Sequence, residues 1–404
     1  MSSSKIITDL LQEETSFLAG LLLLFSFQMF LFQSTLQHHR SMGSTIAAVR
    51  NNLQIIQKAD IFASLRVADD EISTSRHFYK HTDTSTLFEQ SLDIYRPHVA
   101  DPKLPVVVLV VGSAWAGHQP IIYRGTSWWN ASGPRTFART GCTCVCIRHR
   151  GGFPRGPPLD IFWRLLLVVF ATIYSLHSLD MAIVVAGILG FLNVLLWWAG
   201  QGAATLDDML NDVATALQWV HQNQGMIMGP HNQLVFGGYS SGGHIAATIM
   251  QRPHLLQERG MEPSQMIQGV LLLSGVLSVR PFQQGQQRWF TDMLTSSIFG
   301  DQVASLPSPL ESTNHPRLPH LLIGCKYEVF GLPILDAFFA SSQYHKQVQY
   351  QNIPSKYVEV DSNHWNILFS RVLKDVLHHE LPRLIKPTEA TAAVTNNQEM
   401  ADMG

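Results

Sequence analysis

The sequence predicts an α/β domain built on a mostly parallel sheet with helices on both faces. Three observations predict it. Short, continuous apolar runs recur between Leu92 and Val360 and alternate with segments of helical spacing, as strands buried on both faces do. The pentapeptide Gly238-Tyr239-Ser240-Ser241-Gly242 stands between one such run and a helical segment. The 404-residue chain has 46% hydrophobic and only 14% charged residues, so it has ample material for a large core.

The elements follow in order. "SLDIYRP" and "LPVVVLVVG" read as strands, with Pro97 and Pro105 bounding their connection. "GCTCVCIRHR" is another strand. "LDDMLNDVATALQWVHQN" has helical spacing, placing Leu206, Leu210, Val213, Leu217 and Val220 on one side. "QLVFGG" predicts a strand, and "GHIAATIMQRPHLL" the helix after it. "IQGVLLLSGVL", "PHLLIGCKYEV" and "KYVEVDS" are further strand-like runs, and "LFSRVLKDVLHHELPRLI" closes the domain as an amphipathic helix. The tail from Pro387 to Gly404 is polar and small, a composition that favours disorder.

Composition narrows the function. A formal net charge of -2 and the lack of a basic stripe point away from nucleic acid. Cys142, Cys144 and Cys146 alternate on one strand and share a face. Buried thiols of that kind fill a core more often than they bind a metal. Four cysteines in so long a chain do not resemble a secreted disulfide framework, which points to a reducing compartment.

Two stretches read as membrane segments. No charge occurs from Thr15 to Gln37, a length sufficient to cross a bilayer as a helix. A cleaved signal peptide is the rival reading. Asp9, Glu13 and Glu14 outnumber Lys5 ahead of the stretch and no small-x-small site follows it, so an uncleaved anchor is preferred. The second block, Ile161 to Ala199, splits at "SLHSLD" into two apolar spans and predicts a helical hairpin that enters and leaves the bilayer on one side. Its rival is a pair of buried core helices. Arg164 can snorkel to the headgroups. Arg40, Arg50 and Lys58 follow the anchor, and Arg148, Arg150 and Arg155 precede the hairpin. The bulk of the chain is therefore expected on the cytosolic side, leaving the sequon at Asn130 unused. The expected organisation is an anchor over 1–37, a linker with lead-in helices over 38–90, and a domain over 91–386 interrupted by 161–199. The tail is 387–404.

The pentapeptide is G-x-S-x-G in a strand-to-helix context, where a sharp elbow exposes the serine at the carboxyl edge of the sheet. Ser240 is the candidate nucleophile, at a helix N-terminus that favours a developing oxyanion. A nucleophilic serine needs a base and an orienting acid, which follow it in the order Ser, acid, His. His364, between a strand and the closing helix, is the candidate base. Glu328 is the preferred acid, with Asp336 and Asp361 as alternatives. The loop "VVGSAWAGH" offers the backbone N–H groups of Ser113 and Ala114, with that of Ser241, as an oxyanion hole.

On "LDIYRP", "VVVLVVGSAW", "CIRHRGGFPRG", "LNDVATALQWV", "GGYSSGGHIAA", "GVLLLSG" and "SNHWNIL", the sequence resembles the α/β-hydrolase fold. Within it the chain is similar to the hormone-sensitive-lipase-like carboxylesterases, and more closely to isoprenylcysteine methylesterase-like proteins. The resemblance implies a Ser-His-acid triad, no cofactor and no metal. With the membrane segments it implies an integral endomembrane protein, of the ER or Golgi, whose partners are the lipid bilayer and a lipid-like ester such as a prenylcysteine methyl ester.

The chain departs from that pattern in three places. Val111-Gly112-Ser113 stands for His-Gly-Gly, and a Cβ at Ser113 is expected to disturb a loop that glycine permits. Gly324-Cys325-Lys326-Tyr327 stands for Gly-Thr-x-Asp, leaving Glu328 one step late. The hairpin is inserted. A catalytically silent interaction protein of this fold and a formamidase are the competing functions.

Overall fold

In the computed structural model the apolar runs form one eight-stranded sheet. The structure describes residues 72–80, 88–115, 117–118, 127–152, 170, 174, 180, 183–191, 203–229, 233–279, 299, 306–328, 338–364, 366–369 and 371–385. The strands are β1 (Ile72–Phe78), β2 (Ser91–Pro97), β3 (Val106–Val110), β4 (Cys144–Ile147), β5 (Leu234–Tyr239), β6 (Gly269–Leu273), β7 (His320–Tyr327) and β8 (Ser355–Asn363). Their spatial order is β1-β2-β4-β3-β5-β6-β7-β8. β2 pairs antiparallel with β1 and β4, and all other pairs are parallel.

Among the described residues, the longer helices packed on the sheet are α1 (Ser127–Arg139), α2 (Leu206–Gln222), α3 (Ser241–Gln251), α4 (Ser341–Tyr350) and α5 (Arg371–Ile385). β3 shows how one sequence serves two layers, because side chains alternate along a strand. Val106, Val108 and Val110 pack with Phe236, Leu272 and the apolar sides of α2 and α3. Val107 and Leu109 pack with Leu271, Ile323, Phe137 of α1 and Leu373, Leu377 and Leu381 of α5. Each fully buried residue of this size contributes about 1.5–3 kcal/mol of transfer free energy. Cys142, Cys144 and Cys146 lie in the second layer as free thiols. Burial pushes the Cys142 thiol up to about 12 and raises the other two further, so all three act as small apolar side chains.

Local chemistry sets the helix ends. Thr205 Oγ1 accepts the Asp208 N–H at 3.1 Å while the Asp208 carboxylate accepts the Thr205 N–H at 2.9 Å, a reciprocal cap that starts α2. The sequence predicts one helix over 243–256. Instead α3 stops at Gln251 and a separate turn spans His254–Gln257, because Pro253 has no N–H to continue the ladder and disfavours the helical conformation at Arg252, whose φ is −123 and ψ 67. The 38–90 stretch, expected as linker and lead-in helices, carries β1 at its described end. Arg76 of β1 reaches Asp93 of β2 through two hydrogen bonds of 2.8 and 3.0 Å.

Arg148, fully buried after β4, donates to both oxygens of the same Asp93 carboxylate at 2.6 and 2.9 Å. Burial alone would raise the Asp93 carboxyl. The hydrogen bonds from Arg148 and Arg76 outweigh it and hold the group below its ordinary value. Arg150 makes a similar fork to Asp212 of α2, at 2.8 and 3.0 Å. The two forks fasten the start of the segment that leads toward residue 161.

The anchor of residues 15–37 and the tail 387–404 lie outside the described residues. Of the 161–199 block, residues 183–191 are helical. Ile183, Val184, Ile188 and Phe191 are each more than half exposed, which a buried core helix would not allow. No helix among the described residues is long and apolar enough to cross a membrane.

His320 on β7 and His244 on α3 are fully buried, and burial pushes both imidazoles down from 6.5 to about 4. The folded state therefore favours their neutral forms, and the stability this confers is complete above about 6.5. It is lost as pH falls toward 4, on the order of 3 kcal/mol per histidine. Urea midpoints measured at pH 7 and pH 4.5 should differ accordingly, and His320→Gln should narrow the difference.

Candidate active site

The sheet gathers the candidate residues at one edge. β5 ends at Tyr239 and α3 begins at Ser241, so Ser240 alone makes the turn, with φ 57 and ψ −127. An L-residue pays about 1–3 kcal/mol for such a backbone. Packing enforces it. A Cβ at position 238 would lie 2.2 Å from the Gly242 carbonyl oxygen, and one at 242 would lie 2.2 Å from the Val110 carbonyl oxygen. Only glycines let strand, turn and helix approach this closely.

β7 and β8 bring the partners. His364 Nε2 lies 2.9 Å from Ser240 Oγ, and its Nδ1 lies 3.2 Å from Glu328 Oε2. The other carboxylate oxygen of Glu328 accepts the Cys325 N–H at 2.9 Å, and the His364 N–H donates to the Glu328 carbonyl at 2.8 Å. Both side chains are buried. The carboxylate thus has fixed acceptor geometry on one side and an imidazole on the other. Asp361 is exposed and faces Lys326 at 3.8 Å, while Asp336 lies outside the described residues.

The late position of Glu328 has a structural answer. β7 and β8 pair with Cys325 opposite Val360 but with Tyr327 opposite Asn363. One residue, Lys326, therefore faces two, Asp361 and Ser362. This bulge advances β8 by one position and sets His364 level with Glu328.

Two aromatic rings hold the imidazole. Tyr239 stacks on His364 with centroids 4.9 Å apart, and Phe339 packs against it at 4.6 Å. The Tyr239 hydroxyl donates to the His364 carbonyl at 2.5 Å. Sequence reasoning missed both residues. Tyr239, next to the nucleophile in the pentapeptide, was in view; Phe339 had no local signal.

The loop after β3 is arranged differently from expectation. Gly112 abuts the turn, since a Cβ there would lie 2.6 Å from Ser240 Cβ. Left-handed φ values occur at Ala114 (50) and Trp115 (58) and not at Ser113, so the strain expected at Ser113 falls on the next two residues. The Ser113 N–H, expected to face an oxyanion, donates instead to Ser241 Oγ at 3.0 Å. Ser241 opens α3, so its N–H is among the first four that a helix leaves without an intrahelical acceptor. Arranged in this way, the edge presents a hydroxyl beside an imidazole, a carboxylate behind the imidazole, and helix-end and loop N–H groups nearby. That set can take a proton from the hydroxyl and stabilise a developing oxyanion.

Comparison with known proteins agrees with the fold. Residues 203–323 match the family model described as alpha/beta hydrolase fold. The chain has the α/β-hydrolase fold and is carboxylesterase-like. It is 27% identical over 207 residues to a carboxylic ester hydrolase of Gibberella moniliformis, covering 48% of this chain and 36% of that protein. It is 25% identical over 173 residues to a protein of Oryza sativa subsp. japonica named "probable isoprenylcysteine alpha-carbonyl methylesterase", covering 43% and 28%. The chain thus spans about a third of the length of the curated relatives it matches. Among solved structures, an inhibited esterase B from Lactobacillus rhamnosis superposes with a TM-score of 0.50 at 14% identity, over 89% of this chain and all of that one. A truncated carbohydrate esterase from gut microbiota does so with the same score and identity, over 78% and 99%. At these identities the structures attest the fold.

Tyr239→Phe keeps the ring stack but leaves the His364 carbonyl without this donor. It should lower the unfolding free energy by about 1–3 kcal/mol. Tyr239→Ala, which also removes the buried ring, should cost about 3–5 kcal/mol. Denaturant unfolding of the two variants measures the difference.

Proposed function

We propose that the protein is a membrane-associated serine hydrolase of carboxylic esters, with Ser240 as nucleophile, His364 as general base and acid, and Glu328 as the orienting carboxylate. The observation that carries this reading is the chain of contacts from Ser240 Oγ through His364 to the buried Glu328 carboxylate. His364 takes the Ser240 proton as Oγ attacks the ester carbonyl, and the loop and helix N–H groups stabilise the tetrahedral oxyanion. The alkoxide leaves with the proton from His364, giving the acyl-enzyme. Water then attacks, delivers its proton to His364, and releases the acid as Ser240 regains its hydrogen. A catalytically silent fold would need none of these contacts, and the buried carboxylate would then be an unneeded cost.

The substrate is an ester with a lipid-like portion. Support comes from the exposed apolar helix at 183–191 and the block around it, whose only charged residues are Arg164 and Asp180, and which would rest in a bilayer. The block enters the chain after β4, whose carboxyl end lies on the same sheet edge as Ser240. A membrane-bound pocket mouth can take a long-chain or prenylated ester directly from lipid. A prenylcysteine methyl ester suits the likeness to the rice protein.

A fluorophosphonate probe applied to membranes carrying the full chain should label the wild type and not Ser240→Ala. Glu328→Gln should lower turnover by as much as ~10⁴-fold, while Asp361→Asn should change it less than twofold. Labelling that survives in Ser240→Ala would remove the serine from its role.

Replacing residues 161–199 with a short polar loop tests the lipid part separately. The shortened protein should still cleave a small soluble ester but lose most activity on a long-chain ester presented in vesicles. Equal loss on both substrates by a folded protein would make the segment part of the catalytic scaffold.

A further inference from the structure

We propose that Ser241 and His244 are positioning residues that hold the loop after β3 in its oxyanion-binding shape, acting through Ser113 and Trp115. The inference rests on the ester-hydrolase reading and deepens it. Ser241 and His244 stand three residues apart in the first turn of α3, so both face the same way. Ser241 Oγ accepts the Ser113 N–H at 3.0 Å, and His244 Nδ1 accepts the Trp115 indole N–H at 3.2 Å. With Nδ1 acting as acceptor, His244 carries its proton on Nε2 and donates it to the Pro307 carbonyl at 2.9 Å. The imidazole therefore ties the loop both to the nucleophile helix and to the segment at residue 307. Trp115 is itself buried, edge-on to His244 at 5.3 Å and to Phe299 at 5.2 Å.

Ala114 lies between the two tethered residues. Its φ of 50 and that of 58 at Trp115 are conformations that side-chain-bearing residues adopt only when their surroundings impose them. The two hydrogen bonds supply that imposition from either side of Ala114. The Ser113 N–H acts as a tether, leaving the backbone N–H groups of Ala114 and Ser241 as the oxyanion donors. Gly112 packs directly against Ser240, so a small slip of the loop moves its donors relative to the reacting carbon. Donors of this kind act on charge that appears in the transition state, so a loosened loop lowers kcat and leaves KM in place.

The test compares full-length Ser241→Ala, Trp115→Phe, His244→Ala and His244→Gln with wild type, using p-nitrophenyl butyrate as substrate and a butyl trifluoromethyl ketone as the probe of oxyanion binding. Ser241→Ala and Trp115→Phe should each lower kcat about 10- to 100-fold, with KM within about twofold and ketone affinity reduced in the same proportion. His244→Gln can both accept from the indole and donate to the Pro307 carbonyl, and should retain more kcat than His244→Ala. If His244→Ala fails to fold, Ser241→Ala and Trp115→Phe decide the matter. Unchanged kcat in those two, or a rise in KM alone, overturns the proposal. A rise in kcat in Ser241→Ala also overturns it, because the Ser113 N–H would then be a blocked donor. A wild type that neither cleaves the ester nor binds the ketone overturns the hydrolase reading and this inference with it. An active wild type with unaffected variants overturns this inference alone.

Discussion

The backbone of Ser240 is the constraint on which the rest of the site depends. A residue with a side chain is held at φ 57 and ψ −127 between a strand and a helix, and nothing local favours it there. It persists because β5 and α3 meet at backbone contact, with Gly238 against the Gly242 carbonyl and Gly242 against the end of β3. The cost of the turn is small beside the core that surrounds it. It lifts the hydroxyl out of the sheet edge toward His364. It also aims the first turn of α3 at the loop after β3.

Around that turn, each partner is held by more than one contact. His364 packs against the rings of Tyr239 and Phe339, its N–H and Nδ1 both engage Glu328, and its carbonyl receives the Tyr239 hydroxyl. Glu328 has its second oxygen on the Cys325 N–H. Such mutual fixing leaves little for the side chains to reorganise when charge develops, which is where electrostatic stabilisation is most effective. Farther along the sheet, Asp93 and Asp212 fix Arg148 and Arg150 at the exit of β4. The chain leaving β4 is thereby held in place at Arg148 and Arg150.

Much was legible along the chain and some was not. The periodicity of residues 206–222 and 371–385 specified two helices, and the valines of 106–110 specified a central strand. β1 was not legible: Ile72–Phe78 is polar and half-exposed, and it is a strand because Arg76 meets Asp93 and β2 supplies its ladder. The end of α3 was written at Pro253, within a run whose apolar spacing continued past it.

The sequence by itself determined strands β2 to β8, helices α2 and α5, the elbow at Ser240 and the place of His364, because periodicity and glycine placement act over a few residues. It did not determine β1, α1 or α4. Only the tertiary structure decided which acid meets the histidine. Glu328 and Asp361 are both close to it along the chain or across the sheet, and the extra residue of β8 turns one inward and leaves the other in solvent. Tertiary structure also decided that the Ser113 N–H goes to Ser241 and that Trp115 goes to His244. These partners lie more than a hundred residues apart in the chain. Their pairing depends on where β3 and β5 come to lie side by side, which no local pattern encodes.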